Sequence, residues 1–366
     1  MLKQAFRLNY RWEGIRMAIR VLIVDDSAFM RQVILKMLQE YPGIAVVATA
    51  KDGLDALAKI EVYQPDVITL DVDMPNMNGL ECLAQIMERF PRPVIMVSSL
   101  TIEGAEPTMK AMELGAVDFV TKPSITDPQL LENIKDDLIQ KVKVASTVKT
   151  SQLKKVTAPS FGLAVMKQNE EVIANPHQLE LLAIGSSTGG PRALYYLLPQ
   201  FPKNFPLGII IAQHMPKDFT SVFAKRLNSL CRLEVVEAKD GDRLEPGLVL
   251  VAPAGSQTRV VRGADGLRVA VTEEPKLLYK PSVDYLYKSV AETCKEKSLS
   301  VILTGMGSDG AVGMKQLRNL GARTIAEAEE SCVVFGMPRV AIEIGAAEYV
   351  ESLPQIFERI MQIVTT

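Results

Sequence analysis

Leu181-Leu182-Ala183-Ile184-Gly185-Ser186-Ser187-Thr188-Gly189-Gly190-Pro191 is the stretch on which the fold turns. An apolar run reads as a buried strand. It stops at glycine, and the glycines permit a tight turn with φ > 0. Pro191 suits the first turn of a helix, and Ala193, Leu194, Leu197 and Leu198 then recur at helical spacing. The unit is strand, sharp turn, helix. Gly185-x-Ser187-x-Gly189 also fits the pattern in which such a turn lifts a serine hydroxyl clear of a sheet. Two other readings fit the same residues: a glycine-rich turn cradling a phosphate, and a purely structural turn. The G-x-G-x-x-G spacing and a Gly-Lys-Ser/Thr ending are both absent. The motif needs a base and an orienting carboxylate from elsewhere in the chain.

Downstream, Leu207–Ala212, Leu248–Ala252 and Val301–Thr304 are further apolar runs, with shorter strands at Arg323–Ala326 and Glu348–Val350. Val260–Val261 and Val269–Val271 flank Gly263-Ala264-Asp265-Gly266 as a hairpin. Ser282 is a candidate helix cap. Residues 179–366 thus read as a mostly parallel, doubly wound α/β domain with a hairpin. His214 follows one strand and Asp309 another, on the same sheet edge as Ser187. The chain has only two histidines, His177 and His214, so the choice of base is narrow. His214 alone could be a buried or capping histidine, and Asp309 alone a helix N-terminal carboxylate. The three together favour nucleophilic catalysis. Their chain order, Ser, His, Asp, is not that of α/β-hydrolases, chymotrypsin or subtilisin.

Upstream, residues 17–145 alternate strand and helix. Val21–Val24, Ala45–Ala48, Val67–Leu70, Val94–Val97 and Asp118–Val120 are the strands of a five-stranded, doubly wound parallel sheet of flavodoxin-like type. The strand ends carry Asp25 and Asp26, then Asp71 and Asp73, then Ser98, then Lys122. Singly these are solvated loop residues. As a set the carboxylates repel one another and call for a cation, and an all-oxygen site suits Mg²⁺. Residues 146–178 lose apolar periodicity and read as a flexible linker, in which Phe161–Val165 could dock locally.

Composition narrows the function classes. The 366 residues allow two domains, and a formal net charge of −2 implies no nucleic-acid partner. The four cysteines are scattered, without disulfide or zinc spacing. No apolar run approaches the ~20 residues that span a bilayer, so a cytoplasmic location without membrane insertion is expected. Residues 1–16 read as an upstream extension before a start at Met17, with no signal peptide.

Asp25-Asp26-Ser27, Asp71-Val72-Asp73-Met74-Pro75, Ser98 and Lys122-Pro123 together resemble the response-regulator receiver domain. The resemblance implies that Asp71 accepts a phosphoryl group from a histidine kinase. Asp26, Asp71 and the Asp73 carbonyl would hold Mg²⁺, with Asp25 helping through water. Ser98 and Phe119 fall at the switch positions, and Lys122 would pair with the phosphoryl oxygens. Gly185–Pro191, Gln213-His214-Met215-Pro216, Lys280–Asp284, Thr304–Gly310 and Ser331–Pro338 are similar to the chemotaxis protein-glutamate methylesterase/glutaminase family. Ser186 departs slightly from it, alanine also being familiar there. This second resemblance implies Ser187 as nucleophile, His214 as base, Asp309 as orienting acid and the Met306 N–H among the oxyanion donors. It also implies methyl-accepting chemoreceptors as substrate and no metal for the esterase step. The other readings of the second domain are a catalytically silent binding module and a nucleotide-using enzyme.

Overall fold

The computed structural model describes residues 18–99, 102–123, 128–150 and 173–366. The expected extension before Met17 and most of the linker, Phe161–Val165 included, lie outside them. The first domain runs β1 (Ile19–Val24), α1 (Ala28–Gln39), β2 (Ile44–Ala50), α2 (Gly53–Tyr63), β3 (Val67–Asp71), α3 (Gly79–Arg89), β4 (Val94–Ser98), α4 (Ile102–Leu114), β5 (Asp118–Thr121) and α5 (Pro128–Ala145). Its five strands are all parallel, in the order β2-β1-β3-β4-β5. Helices cover both faces, which is why β3 and β4 are buried along their whole length. Ser27, Asp52 and Asn78 cap α1, α2 and α3 through their side chains, so each helix starts just after a strand-end loop.

The second domain runs β6 (Leu181–Ser186), α6 (Gly190–Leu197), β7 (Gly208–Gln213), α7 (Phe219–Asn228), β8 (Glu234–Glu237), β9 (Leu248–Val251), β10 (Gln257–Gly263), β11 (Gly266–Thr272), α8 (Val283–Thr293), β12 (Ser298–Ile302), α9 (Ala311–Asn319), β13 (Arg323–Glu327), α10 (Met337–Glu343), β14 (Tyr349–Glu351) and α11 (Leu353–Thr365). Seven strands pair in the order β14-β13-β12-β6-β7-β9-β8, all parallel. The hairpin does not join them. β10 and β11 form their own antiparallel sheet, with Gly263 opposite Gly266. β8 was not foreseen, because Glu-Val-Val-Glu is short and charged and closes an edge.

From β6 the chain first builds outward through β7, and later returns to the other side of β6 with β12. A crevice therefore opens at the carboxyl ends of β6, β7 and β12, where the strand order reverses.

The two domains share a core. Leu22, Met109, Met112 and Phe119 of the first belong to one apolar cluster with Tyr195, Phe219 and Phe223 of the second. Phe119 stacks on Phe219 at 4.6 Å between ring centroids. Arg226 on α7 donates to both carboxylate oxygens of Glu113 on α4, with Nη2 to Oε2 at 2.9 Å. Val148, beyond the end of α5, is buried in the first domain's other cluster. His177 is exposed. Among the described residues, no helix is long and apolar enough to cross a membrane.

Candidate active site

Ser187 is the first residue beyond β6, and His214 the first beyond β7. Ser186 and Gln213 are register partners, and the His214 N–H donates to the Ser186 carbonyl at 3.0 Å. Parallel pairing alone therefore sets Ser187 and His214 side by side. The turn after Ser187 depends on two glycines. Gly189 has φ +80°. A Cβ on Gly190 would stand 2.1 Å from Gln213 Oε1.

Gln213 holds the turn from below. Its Oε1 accepts from Ser186 Oγ at 2.6 Å, and its Nε2 donates to the carbonyls of Ser187 (3.0 Å) and His214 (2.8 Å). Sequence reasoning gave Gln213 no role. Its signal was a polar residue ending an otherwise apolar strand.

His214 Nε2 meets Asp309 Oδ2 at 2.8 Å. Nδ1 is buried with no hydrogen-bond partner among the described residues. With Nε2 carrying the proton toward Asp309, Nδ1 is the free basic nitrogen. Asp309 follows β12 and lies against the start of α8. Oδ2 also accepts from the Val283 N–H at 2.7 Å, while Oδ1 accepts from Ser282 Oγ at 2.9 Å and from the Asp284 N–H at 3.0 Å. Burial opposes ionisation of Asp309, but the imidazole and these helix-start N–H groups outweigh it and hold its carboxyl below the usual value. Ser282 also caps α8, its hydroxyl accepting from the Tyr285 N–H at 3.3 Å. One hydroxyl thus serves both the cap and Asp309.

The Ser187 N–H donates to the Thr304 carbonyl at 3.1 Å. Thr304 in turn donates its own N–H to Glu327 Oε2 at 2.8 Å, and its hydroxyl accepts from the Val334 N–H at 2.9 Å. Gly305 continues this wall: its carbonyl accepts from the N–H groups of Gly336 and Met337. Met306 follows in the same loop beside Ser187. Glu327 is fully buried, accepts from Ser331 Oγ at 2.9 Å, and is pushed up to about 7 by burial. The ring of Tyr279 lies parallel to that of His214 at 4.1 Å. From sequence, Thr304 is noted only as part of a motif, with no role of its own, and Glu327 and Tyr279 are assigned none.

The first domain has its own site. Asp25, Asp26 and Asp71 offer carboxylate oxygens within 4.8 Å of one another. Lys122 Nζ lies 2.8 Å from Asp71 Oδ2 and 3.7 Å from Asp25 Oδ2. Burial, then the charge of Asp71, pushes the Asp25 carboxyl up to about 6 against the pull of Lys122. Burial also raises Asp71, opposed by its bond to Lys122. Among the described residues, Asp25 Oδ2 is buried without a hydrogen-bond partner. Asp73 is exposed and its carboxylate stays outside the cluster. Ser98 bonds to α4, donating to the Gly104 carbonyl at 3.0 Å and meeting Thr108 Oγ1 at 2.7 Å.

The two domains touch beside the Ser187 turn. Thr188, immediately after Ser187, donates its hydroxyl to Asp118 Oδ2 at the start of β5. Phe119 is the next residue.

Fold and sites together define a two-domain α/β protein that joins an acidic strand-end pocket to a serine-bearing elbow. A family model described as CheB methylesterase matches residues 182–360, and one described as response regulator receiver domain matches residues 21–135. A protein-glutamate methylesterase/protein-glutamine glutaminase of Halalkalibacterium halodurans is 46% identical over 345 residues, covering 94% of this chain and 98% of that protein. Another from Oleidesulfovibrio alaskensis is 43% identical over 366 residues, covering 94% and 99%. The crystal structure of the Thermotoga maritima CheB methylesterase catalytic domain is 41% identical with TM-score 0.50, covering 50% of this chain and 98% of that one. The chain belongs to the family of receiver-linked protein-glutamate methylesterase/protein-glutamine glutaminases.

Proposed function

We propose that this methylesterase/glutaminase works through Ser187, His214 and Asp309, and that phosphorylation of Asp71 controls access to them. The observation that carries the catalytic reading is the Asp309–His214 bond of 2.8 Å, with Nδ1 of the same ring left without a hydrogen-bond partner among the described residues. Ser187 Oγ attacks the γ-carbonyl carbon of a glutamate methyl ester on a chemoreceptor helix. Its proton passes to His214 Nδ1. The tetrahedral oxyanion is held by backbone N–H groups of the loop after Thr304, Met306 among them. Collapse expels methoxide, which leaves as methanol with the proton from Nδ1. Water, deprotonated at the same nitrogen, then attacks the glutamyl–serine ester and frees the carboxylate. With glutamine the leaving group is ammonia. Asp309 holds the ring orientation and stabilises the imidazolium.

In the receiver, three mutually close carboxylates and a buried Asp25 oxygen that accepts no hydrogen bond among the described residues suit a hard divalent cation such as Mg²⁺. Asp25, Asp26 and Asp71 would contribute side chains, and Asp73 its carbonyl. The cation supplies charge neutralisation for phosphoryl transfer. Lys122 binds one phosphoryl oxygen and orients the Asp71 carboxylate, and a histidine kinase is the donor. The contacts of Asp118 with Thr188 and of Phe119 with Phe219 support control through occlusion of the Ser187 edge.

The test is trapping with a fluorophosphonate, read by peptide mass spectrometry. The reading requires a covalent adduct on Ser187 that is lost in His214→Ala. A binding module without catalysis gives no adduct.

A further inference from the structure

The loop between β11 and α8 is pinned by its backbone but presents apolar side chains to solvent. The Tyr279 carbonyl accepts from Gln257 Nε2 at 2.8 Å, and the Lys280 carbonyl from the Gly255 N–H at 3.0 Å. Between these ties and β11, Leu278 is 88% exposed and Leu277 42%. Both line a cavity of about 390 Å³ that reaches His214. Tyr279 forms its inner wall. Its ring covers the imidazole, and its hydroxyl would lie 3.6 Å from a Cβ on Gly307, in the loop after Met306. Isolated exposed leucines are ordinary, but an adjacent pair at the mouth of a catalytic cleft marks a contact surface.

The charged side chains that line this mouth are basic. The cavity lining contains Lys217 and Lys280 and no carboxylate. Lys217 is exposed, and Lys280 Nζ bonds a neutral carbonyl, that of Glu273, at 2.7 Å, so its charge is unneutralised by that contact. The neighbouring acids Asp218, Glu273 and Glu274 are outside the lining.

We propose that Leu277, Leu278 and Lys217 form the docking rim for the substrate polypeptide, receiving the apolar stripe of an acidic amphipathic helix alongside the reacting glutamyl side chain. The proposal rests on Ser187 and His214 being the catalytic pair. A helix sets residues three and four positions from the reacting side chain on the same face. Apolar groups at those positions meet the leucines, and glutamates flanking them meet the lysines.

The experiment uses the full chain with two probes, a glutamate-methylated helical receptor fragment and a fluorophosphonate. Leu277→Ser/Leu278→Ser is expected to raise KM for the fragment at least tenfold, with kcat within twofold and the rate of Ser187 adduct formation unchanged. Leu277→Met/Leu278→Met should restore KM. Lys217→Glu should raise KM severalfold at low salt and flatten its salt dependence. Unchanged KM in both the serine and the glutamate variants overturns the docking rim. Parallel loss of adduct formation also overturns it, because the loop would then only be supporting His214. Absence of an adduct in the unsubstituted protein refutes the catalytic reading instead, so the two failures are separable.

Discussion

Glu327→Gln should make the protein more stable at pH 8 and leave its stability unchanged near pH 4.5. Glu327 is fully buried at the end of β13, and burial raises its pKa from 4.5 to about 7, opposed by the Thr304 N–H, Ser331 and Arg192. A folded-state value above the unfolded one means that the native protein binds the proton more tightly. Stability is therefore full below about 4.5 and is lost as pH rises through about 7. The rise corresponds to ~3 kcal/mol between the two protonation states. Glutamine mimics the protonated acid: its oxygen still accepts from the Thr304 N–H, and its amide faces the Ser331 hydroxyl, which can accept. For a domain of this size, ~3 kcal/mol amounts to roughly 6–12 °C in Tm. Thermal melts of both full-length proteins at pH 5, 6, 7 and 8 give the difference curve. A difference that does not change with pH, or a variant less stable at pH 8, refutes the assignment of a proton to Glu327. Because the tie to Thr304 is kept, kcat should stay within a fewfold, whereas Glu327→Ala, which frees the Thr304 N–H that backs the Ser187 turn, should lower it.

Ser187→Ala and His214→Ala should each lower kcat for methanol release by several orders of magnitude, and the double variant should be little worse than either, since the groups act as a unit. Asp309→Asn should cost about 10³–10⁴-fold in kcat. Its amide must also take the place of an oxygen that accepts from two of the four donors, so circular-dichroism melts should register a loss of ~1–3 kcal/mol at the start of α8. Asp71→Asn should hold basal activity whether or not acetyl phosphate and Mg²⁺ are present. Arg226→Ala removes a half-exposed ion pair with Glu113 worth ~1 kcal/mol at most, so basal receptor demethylation should rise by up to about fivefold.

What the sequence disclosed and what it withheld divide along physical lines. Parallel strands covered on both faces are continuous apolar runs, and their carboxyl ends gather the polar groups. Reading where each run stops was enough to bring Ser187, His214 and Asp309 to one edge, and Asp25, Asp71 and Lys122 to another. The supports were hidden because they are ordinary residues in ordinary surroundings. Glu327 begins the run Glu-Ala-Glu-Glu and looks solvated, yet it is fully buried while Glu329 and Glu330 are exposed. Gln213 looks like the polar end of a strand until its amide is seen spanning Ser186, Ser187 and His214. Tyr279 lies between two motifs and acts only through a ring contact made by the folded loop. Pairings across the domains, Asp118 with Thr188 and Glu113 with Arg226, join residues 70 and 113 positions apart and leave no periodic trace.

The interface itself decides how control can work. Phe119 is buried on Phe219 of the esterase domain, and the adjacent Asp118 accepts from Thr188, the residue after Ser187. On the proposed reading, in which Phe119 responds to Asp71, the responding strand is also the one that touches the Ser187 turn, and no separate relay is required. Ser98 is bonded to α4, the same helix that carries Glu113. On the same reading, movement of Ser98 toward a phosphoryl group on Asp71 would break its bond to the Gly104 carbonyl of α4. The interface is mostly apolar, since Met109, Met112, Tyr195 and Phe223 share one core. Removing the receiver outright would expose that face to water, and lost packing would be mixed with relief of occlusion. Point changes at Arg226 or Asp118 leave the apolar contact in place and alter only the polar restraint, so they separate release of the Ser187 edge from general destabilisation.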